Sequence, residues 1–174
     1  MNRLLPVIFL ACLHASAVAG ESGLTIPPGI MTLEPRPAPV LKLGNLDGET
    51  YDIGTSRGHW IFVHFWASWC GPCRKEMPTI QRMVTLLDES TVEVVLVNTA
   101  ETEDTVFSFL GIVAPDLDTL LDYDGQVTEG WKPRGLPSSF LVDPGGQIRY
   151  QALGDRPWDQ PEYLDFIRSL EKQN

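Results

Sequence analysis

Cysteine is scarce: the 174-residue chain carries three. That rules against a disulfide-stapled scaffold, which spreads its cysteines to close long loops. Basic residues are outnumbered, 13 Lys and Arg against 23 Asp and Glu, for a net charge of -10 and an isoelectric point near 4.6. Such a surface repels phosphate backbones and anionic lipid, so no nucleic-acid partner is expected. No apolar run reaches the roughly 20 residues of a membrane-spanning helix. The 14 prolines and 15 glycines are scattered, and repeats and low-complexity tracts are absent. Together with the supply of aromatics, that excludes collagen-like, coiled-coil and disordered chains. With 43% hydrophobic residues, the length suits one domain with a single core.

The first 19 residues read as an export signal. Asn2-Arg3 gives the positive start, Leu4–Ala19 is mostly apolar, and Ala17-Val18-Ala19 offers a cleavage site before Gly20. An uncleaved anchor, or a lipidated Cys12, is the alternative. Cleavage removes Cys12 and leaves Cys70 and Cys73 as the only thiols. Residues 20–39 carry five prolines and little periodicity, and read as a linker or arm ahead of a domain spanning 40–174.

Within that domain, Val40–Leu43 and Glu49–Ile53 form an expected hairpin turning at Asp47-Gly48. Trp60–Trp66 is a nearly unbroken apolar run, the mark of a central strand covered on both faces. Cys73–Leu87 has helical spacing, with Met77, Ile80, Val84 and Leu87 on one face. Val92–Asn98 reads as a second buried strand. A short helix begins near Thr102 and stops at Gly111, and Asp124–Trp131 is another. Ser138–Asp143 and Gln147–Ala152 pair across Pro144-Gly145-Gly146. Asp159 and Glu162 resemble a capping box for a last helix carrying Leu164, Ile167 and Leu170. This order predicts an α/β fold, a mixed sheet with helices on both faces.

The chemistry lies in Trp69-Cys70-Gly71-Pro72-Cys73, at the junction of a strand and a helix. The unpaired N–H groups of the helix start stabilise a thiolate, so Cys70 is the expected nucleophile. Cys73, one turn further in, is placed to resolve a mixed disulfide. Pro72 lacks an N–H that the first turn does not need. Zinc would need four ligands, and only His59 and His64 could join the pair. Covalent haem would need His where Arg74 stands. A purely structural disulfide here would close almost no loop.

The segment Phe65-Trp66-Ala67-Ser68-Trp69-Cys70-Gly71-Pro72-Cys73-Arg74-Lys75-Glu76-Met77-Pro78 resembles the active-site region of the thioredoxin superfamily, in particular exported TlpA/ResA-like thiol-disulfide oxidoreductases. The Asp47-Gly48 hairpin and Gly135-Leu136-Pro137-Ser138-Ser139-Phe140-Leu141-Val142-Asp143 extend the resemblance over about residues 40–170. It implies a thioredoxin fold with an N-terminal β-hairpin extension, and a cis bond at Leu136–Pro137. It also implies a substrate-binding surface formed by Trp69, Gly71, Pro72, Leu136 and Pro137. Where thioredoxins bury an Asp six residues before the first cysteine, and TlpA-like proteins often an Asn, this chain has His64. A neutral imidazole there could relay a proton, or be a hydrogen-bonded core residue. Glu76 matches an acidic residue that ResA-like proteins use near their active site, and could tune Cys73. Pro78 matches the helix-kinking proline.

The expected activity is exchange between a Cys70–Cys73 dithiol and protein disulfides in the bacterial periplasm, with no cofactor or metal and as a monomer. The Gly-Pro dipeptide resembles reducing thioredoxins. A reductant implies a membrane thiol donor of the DsbD or CcdA type, with apocytochrome c or oxidase copper-site cysteines as clients. A disulfide oxidase or isomerase is the alternative enzyme, and a Cu(I) chaperone using both sulfurs the alternative class. The acidic clusters Glu101-Thr102-Glu103-Asp104 and Asp116/Asp118/Asp122/Asp124 read as solvated faces. Trp131, Trp158 and Tyr163 read as core or edge packing, and His59 has no evident partner.

Overall fold

The computed structural model describes residues 24–87 and 92–171; the export-signal segment 1–19 and Cys12 lie outside them. In chain order the elements are β1 (Ile30–Pro37), β2 (Lys42–Gly44), β3 (Thr50–Asp52), β4 (Trp60–Trp66), α1 (Gly71–Leu86) and β5 (Val92–Thr99). There follow α2 (Glu103–Val113), β6 (Leu120–Asp122), α3 (Gln126–Trp131), β7 (Ser138–Val142), β8 (Gln147–Leu153) and α4 (Pro161–Leu170). Six strands form one mixed sheet in the order β1-β8-β7-β4-β5-β6, and β2-β3 is a separate hairpin. β4 is parallel to β5 and antiparallel to β7, so it sits at the centre.

All seven β4 residues are buried, and their alternation divides the core in two. Trp60, Phe62 and Trp66 face the helices α1, α2 and α4, whose Met77, Ile80, Phe109, Leu110, Leu164 and Ile167 share that cluster. Ile61, Val63 and Phe65 face the other way, towards Phe140, Leu41 and Trp131 of α3. Phe65, Phe140 and Trp131 pack as three mutually tilted rings with centroids 5.4–5.9 Å apart.

The sequence-based expectations hold for β2–β3, β4, β5 and the β7–β8 pair. Residues 20–39 depart from the linker reading, because Ile30–Pro37 is a strand paired antiparallel with β8. Its prolines are tolerated at a sheet edge, where an outward N–H has no ladder partner, and the register shifts between Thr32 and Arg36 around Pro35. The domain therefore begins before residue 40. On α1 the buried face takes Met83 where Val84 was expected; the longer side chain reaches the core and Val84 stays partly exposed. α2 runs through Gly111 to Val113, because burial of Val106, Phe109 and Leu110 outweighs the roughly 1 kcal/mol that Gly costs in a helix. β6 had no counterpart in the sequence reading, since three residues are too few to show a period.

Three polar expectations also fail. Gln160, not Asp159, flanks α4, and Pro161 sets its start. Asp159 instead accepts from Arg82 Nε at 2.7 Å. Asp122 is buried, not solvated. Its carboxylate accepts from the backbone N–H of Thr128 at 2.7 Å, the Thr128 hydroxyl at 2.6 Å and Val127 N–H at 3.3 Å, and so holds the first turn of α3. His59 does have a partner, with Nε2 2.7 Å from Glu93 Oε2. Replacing Asp122 by Ala leaves those donors without an acceptor, and is expected to cost about 2 kcal/mol in a urea melt. A loss under about 0.5 kcal/mol would show that α3 does not depend on this carboxylate.

Candidate active site

β4 ends at Trp66, and a short loop, Ala67–Trp69, leads to Cys70, the residue that caps the N-terminus of α1. Cys70 has an extended backbone (φ -80°, ψ 109°), and its Sγ accepts from the N–H of Cys73 at 3.2 Å. The two cysteines form a disulfide. Cys73 is wholly buried, whereas Cys70 retains some exposure. Cys70, 5% exposed, is the less deeply buried of the two and stands at the helix N-terminus, where thiolate charge is stabilised. Gly71 and Pro72 are exposed, and Trp69 is 68% exposed, so it is not core packing. The Leu136–Pro137 peptide bond is cis and lies just before β7, the antiparallel neighbour of β4.

The loop is gripped by a residue that the sequence reading placed on a solvated face. The carboxylate of Glu101 accepts from the Ser68 N–H at 2.6 Å, from the Ser68 hydroxyl, and from Asn98 Nδ2 at 2.7 Å. Arg74 Nη1 donates to the Ser68 carbonyl at 3.2 Å. Glu101 follows Ala100, whose φ of +58° turns the chain at the end of β5. A signal was available: Glu101 follows the carboxyl end of a parallel strand, where α/β sheets build their sites.

Behind the cysteines lie two buried ionisable groups. His64 projects from β4, with Nδ1 2.9 Å from the hydroxyl of Ser139, its cross-strand neighbour. Glu76, one turn after Cys73 on α1, has Oε1 accepting from Trp158 Nε1 and from the Arg156 N–H at 3.1 Å. Its Oε2 has no partner and lies 4.0 Å from His64 Nε2, which also has none. Burial pushes the Glu76 carboxyl up to about 8, against the opposing effect of those hydrogen bonds, and pushes the His64 imidazole down to about 3. At neutral pH the pair is a carboxylic acid beside a neutral imidazole. Trp158 thus combines core packing with a polar role, through its N–H on Glu76. Among the described residues no group of three or more His, Cys, Asp or Glu is gathered to hold a metal ion.

A Cys-Gly-Pro-Cys disulfide at a helix N-terminus, on this mixed sheet, is the arrangement of a thioredoxin-fold protein-disulfide oxidoreductase. The profile described as "AhpC/TSA family" matches residues 35–151, and the chain belongs to that family within the thioredoxin superfamily. It is 30% identical over 132 residues to the thiol-disulfide oxidoreductase ResA of Geobacillus kaustophilus, covering 75% of this chain and 76% of that protein. To ResA of Bacillus thuringiensis it is 28% identical over 172 residues, 95% of this chain and 97% of the other. Among solved structures it is similar to a DsbE-type thiol:disulfide interchange protein from Chlorobium tepidum. That match has a TM-score of 0.69 at 30% identity, over 80% of this chain and 99% of the other. StoA from Bacillus subtilis gives a TM-score of 0.64 at 26% identity, over 74% and 97%.

The buried pair makes stability depend on pH with two opposite slopes. Glu76 binds its proton more tightly when folded, so its contribution is complete below 4.5, its ordinary value, and is lost as pH rises through about 8. His64 resists its proton when folded, so its contribution is complete above 6.5 and is lost as pH falls towards 3. Glu76→Gln is expected to flatten the loss in urea midpoint as pH rises towards 8 and to leave the slope below 4.5 unchanged. If the variant kept the full alkaline slope, another group would have to be its source.

Proposed function

We propose that the chain is an exported reductant of protein disulfides, with Cys70 as the attacking sulfur and Cys73 as the resolving one. The observation that carries this is the pairing of a sulfur at the N-terminus of α1 with a wholly buried one a turn further on. In the cycle, the Cys70 thiolate attacks a client disulfide, forming a mixed disulfide and releasing one client thiolate. The Cys73 thiolate then attacks Cys70 Sγ, which frees the second client thiolate and leaves Cys70–Cys73 oxidised. Cys73 must lose a proton inside the core. Glu76, one turn away, can take that proton only when ionised, a form that burial disfavours near neutral pH by raising the carboxyl to about 8. His64 is too weak a base to stay charged there, and its role is a neutral partner to that carboxyl. Trp69, Gly71, Pro72, Leu136 and Pro137 form the surface on which the client segment lies.

Reduction, rather than oxidation or isomerisation, is supported by the Gly71-Pro72 pair, which resembles that of reducing thioredoxins. The signal-like segment 1–19 supports export to the periplasm with cleavage after Ala19, and no helix among the described residues is long and apolar enough to cross a membrane. A reductant there needs an electron source, which a membrane thiol donor of the DsbD or CcdA type supplies. Its clients are cysteines of apocytochrome c or of an oxidase copper site, met by a monomer.

The test is the equilibrium reduction potential of Gly20–Asn174 in dithiothreitol or glutathione buffers, read by Trp69 fluorescence. A value near the thioredoxin figure of about -270 mV is expected, and one near the DsbA figure of about -120 mV would reverse the direction of electron flow.

A further inference from the structure

Beside the redox loop, α1 and α2 leave an open, mostly apolar cleft of about 260 Å³, lined by Ser68, Arg74, Ser108, Phe109, Ile112 and Val113. We propose that this cleft receives one large apolar side chain of the client, two or three residues from the cysteine that exchanges with Cys70. The inference rests on the reading of Cys70 as the attacking sulfur and adds the kind of segment that the site selects.

Three observations carry it. The first is continuity with the reacting sulfur. Ser68 is both a wall of the cleft and part of the loop that ends at Cys70, and two residues of chain span at most about 7 Å. An extended client segment advances about 3.3 Å per residue, so a side chain two or three positions from its cysteine arrives over the cleft. The second is that the cleft is built in advance. Phe109 packs against Trp66 with centroids 5.4 Å apart and lies under the Arg74 guanidinium at 5.1 Å. Arg74 holds the Ser68 carbonyl, and Glu101 holds the Ser68 N–H and hydroxyl. Little ordering remains to oppose binding. The third is an apolar residue left in water at the rim: Ile112 is 85% exposed, on a helix whose opposite face is core.

The dimensions select the occupant. The cleft is smaller than the roughly 300–1,000 Å³ of small-molecule sites, and it is open to solvent. It suits a single side chain carried on a polypeptide. The cationic wall at Arg74 disfavours Lys or Arg in that place.

The test uses the fully reduced protein and short peptides joined to glutathione through a mixed disulfide. The peptides differ only in carrying Leu, Ser or Lys two or three residues to either side of the cysteine. Stopped-flow Trp fluorescence gives the second-order rate of oxidation. Leu is expected to react about tenfold faster than Ser on one side of the cysteine, with Lys the slowest. Ile112→Asp, at an exposed position, is expected to bring the Leu peptide down to the Ser rate, and Ile112→Leu to preserve the preference. Both variants should react with Ellman's reagent, which carries no peptide, at the parent's rate. Equal rates for Leu and Ser, or a preference that survives Ile112→Asp, would overturn the cleft assignment and leave Cys70 chemistry standing. A reduced parent protein inert even to Ellman's reagent would overturn the Cys70 reading, and this proposal with it.

Discussion

Burial of β4 on both faces is the constraint from which the site follows. The strand is hydrogen-bonded to β5 on one side and to β7 on the other, and its side chains alternate between two apolar clusters. Every polar atom on it must therefore be satisfied inside the protein or remain uncharged. Trp66 meets the first condition, donating from Nε1 to the Thr119 hydroxyl at 3.0 Å. His64 meets the second, and its imidazole is held neutral. The same burial fixes where the strand ends, and so where Cys70 enters the helix.

That helix is tied to the rest of the molecule through a carboxyl group. Glu76 accepts from Trp158 and from the backbone of Arg156, both in the segment leading to α4. Arg156 continues the chain of contacts, donating from Nη2 to the carbonyls of Leu153 at 2.8 Å and Gly29 at 3.3 Å. Tyr163 of α4 donates to the carbonyl of Pro28 at 2.9 Å. The active-site helix, the last helix and the entry to β1 thus share one polar seam. Residues ahead of position 40 are part of the same structure as the cysteines.

The sequence made the sheet legible wherever burial leaves a pattern. Trp60–Trp66 and Val92–Asn98 are largely apolar runs because these central strands are covered on both faces, and the cysteine pair announces the helix start. What stayed hidden depends on contacts between distant residues. Glu101 is one of three acids within four residues, and only the turn at Ala100 and the fold of the loop bring it onto Ser68. Asp122 sits among other acids, and only the short β6 and α3 around it make it a buried acceptor. β1 was obscured by its own prolines, which an edge strand tolerates and a central strand would not. Of the two ionisable groups behind the cysteines, sequence position suggested both. The direction in which each is pushed could come only from their burial.

Those directions bear on the sulfurs. An ionised carboxylate one turn from Cys73 would oppose thiolate formation at both cysteines, working against the field of the helix N-terminus. Burial removes that conflict near neutral pH by keeping Glu76 protonated, and it does so without a cation beside it. His64 cannot take the proton, because its own burial penalises the imidazolium. The unpartnered Oε2 and Nε2 therefore face each other as two uncharged groups, with the mobile proton on the carboxyl side. On the proposed cycle, the charge next to the buried sulfur is set by whether Glu76 keeps its proton. A carboxyl raised to about 8 keeps it while Cys70 attacks, and must give it up before it can take the proton of Cys73. A surface glutamate at the same helical position would be ionised throughout, and would hold a negative charge against the thiolate at every step.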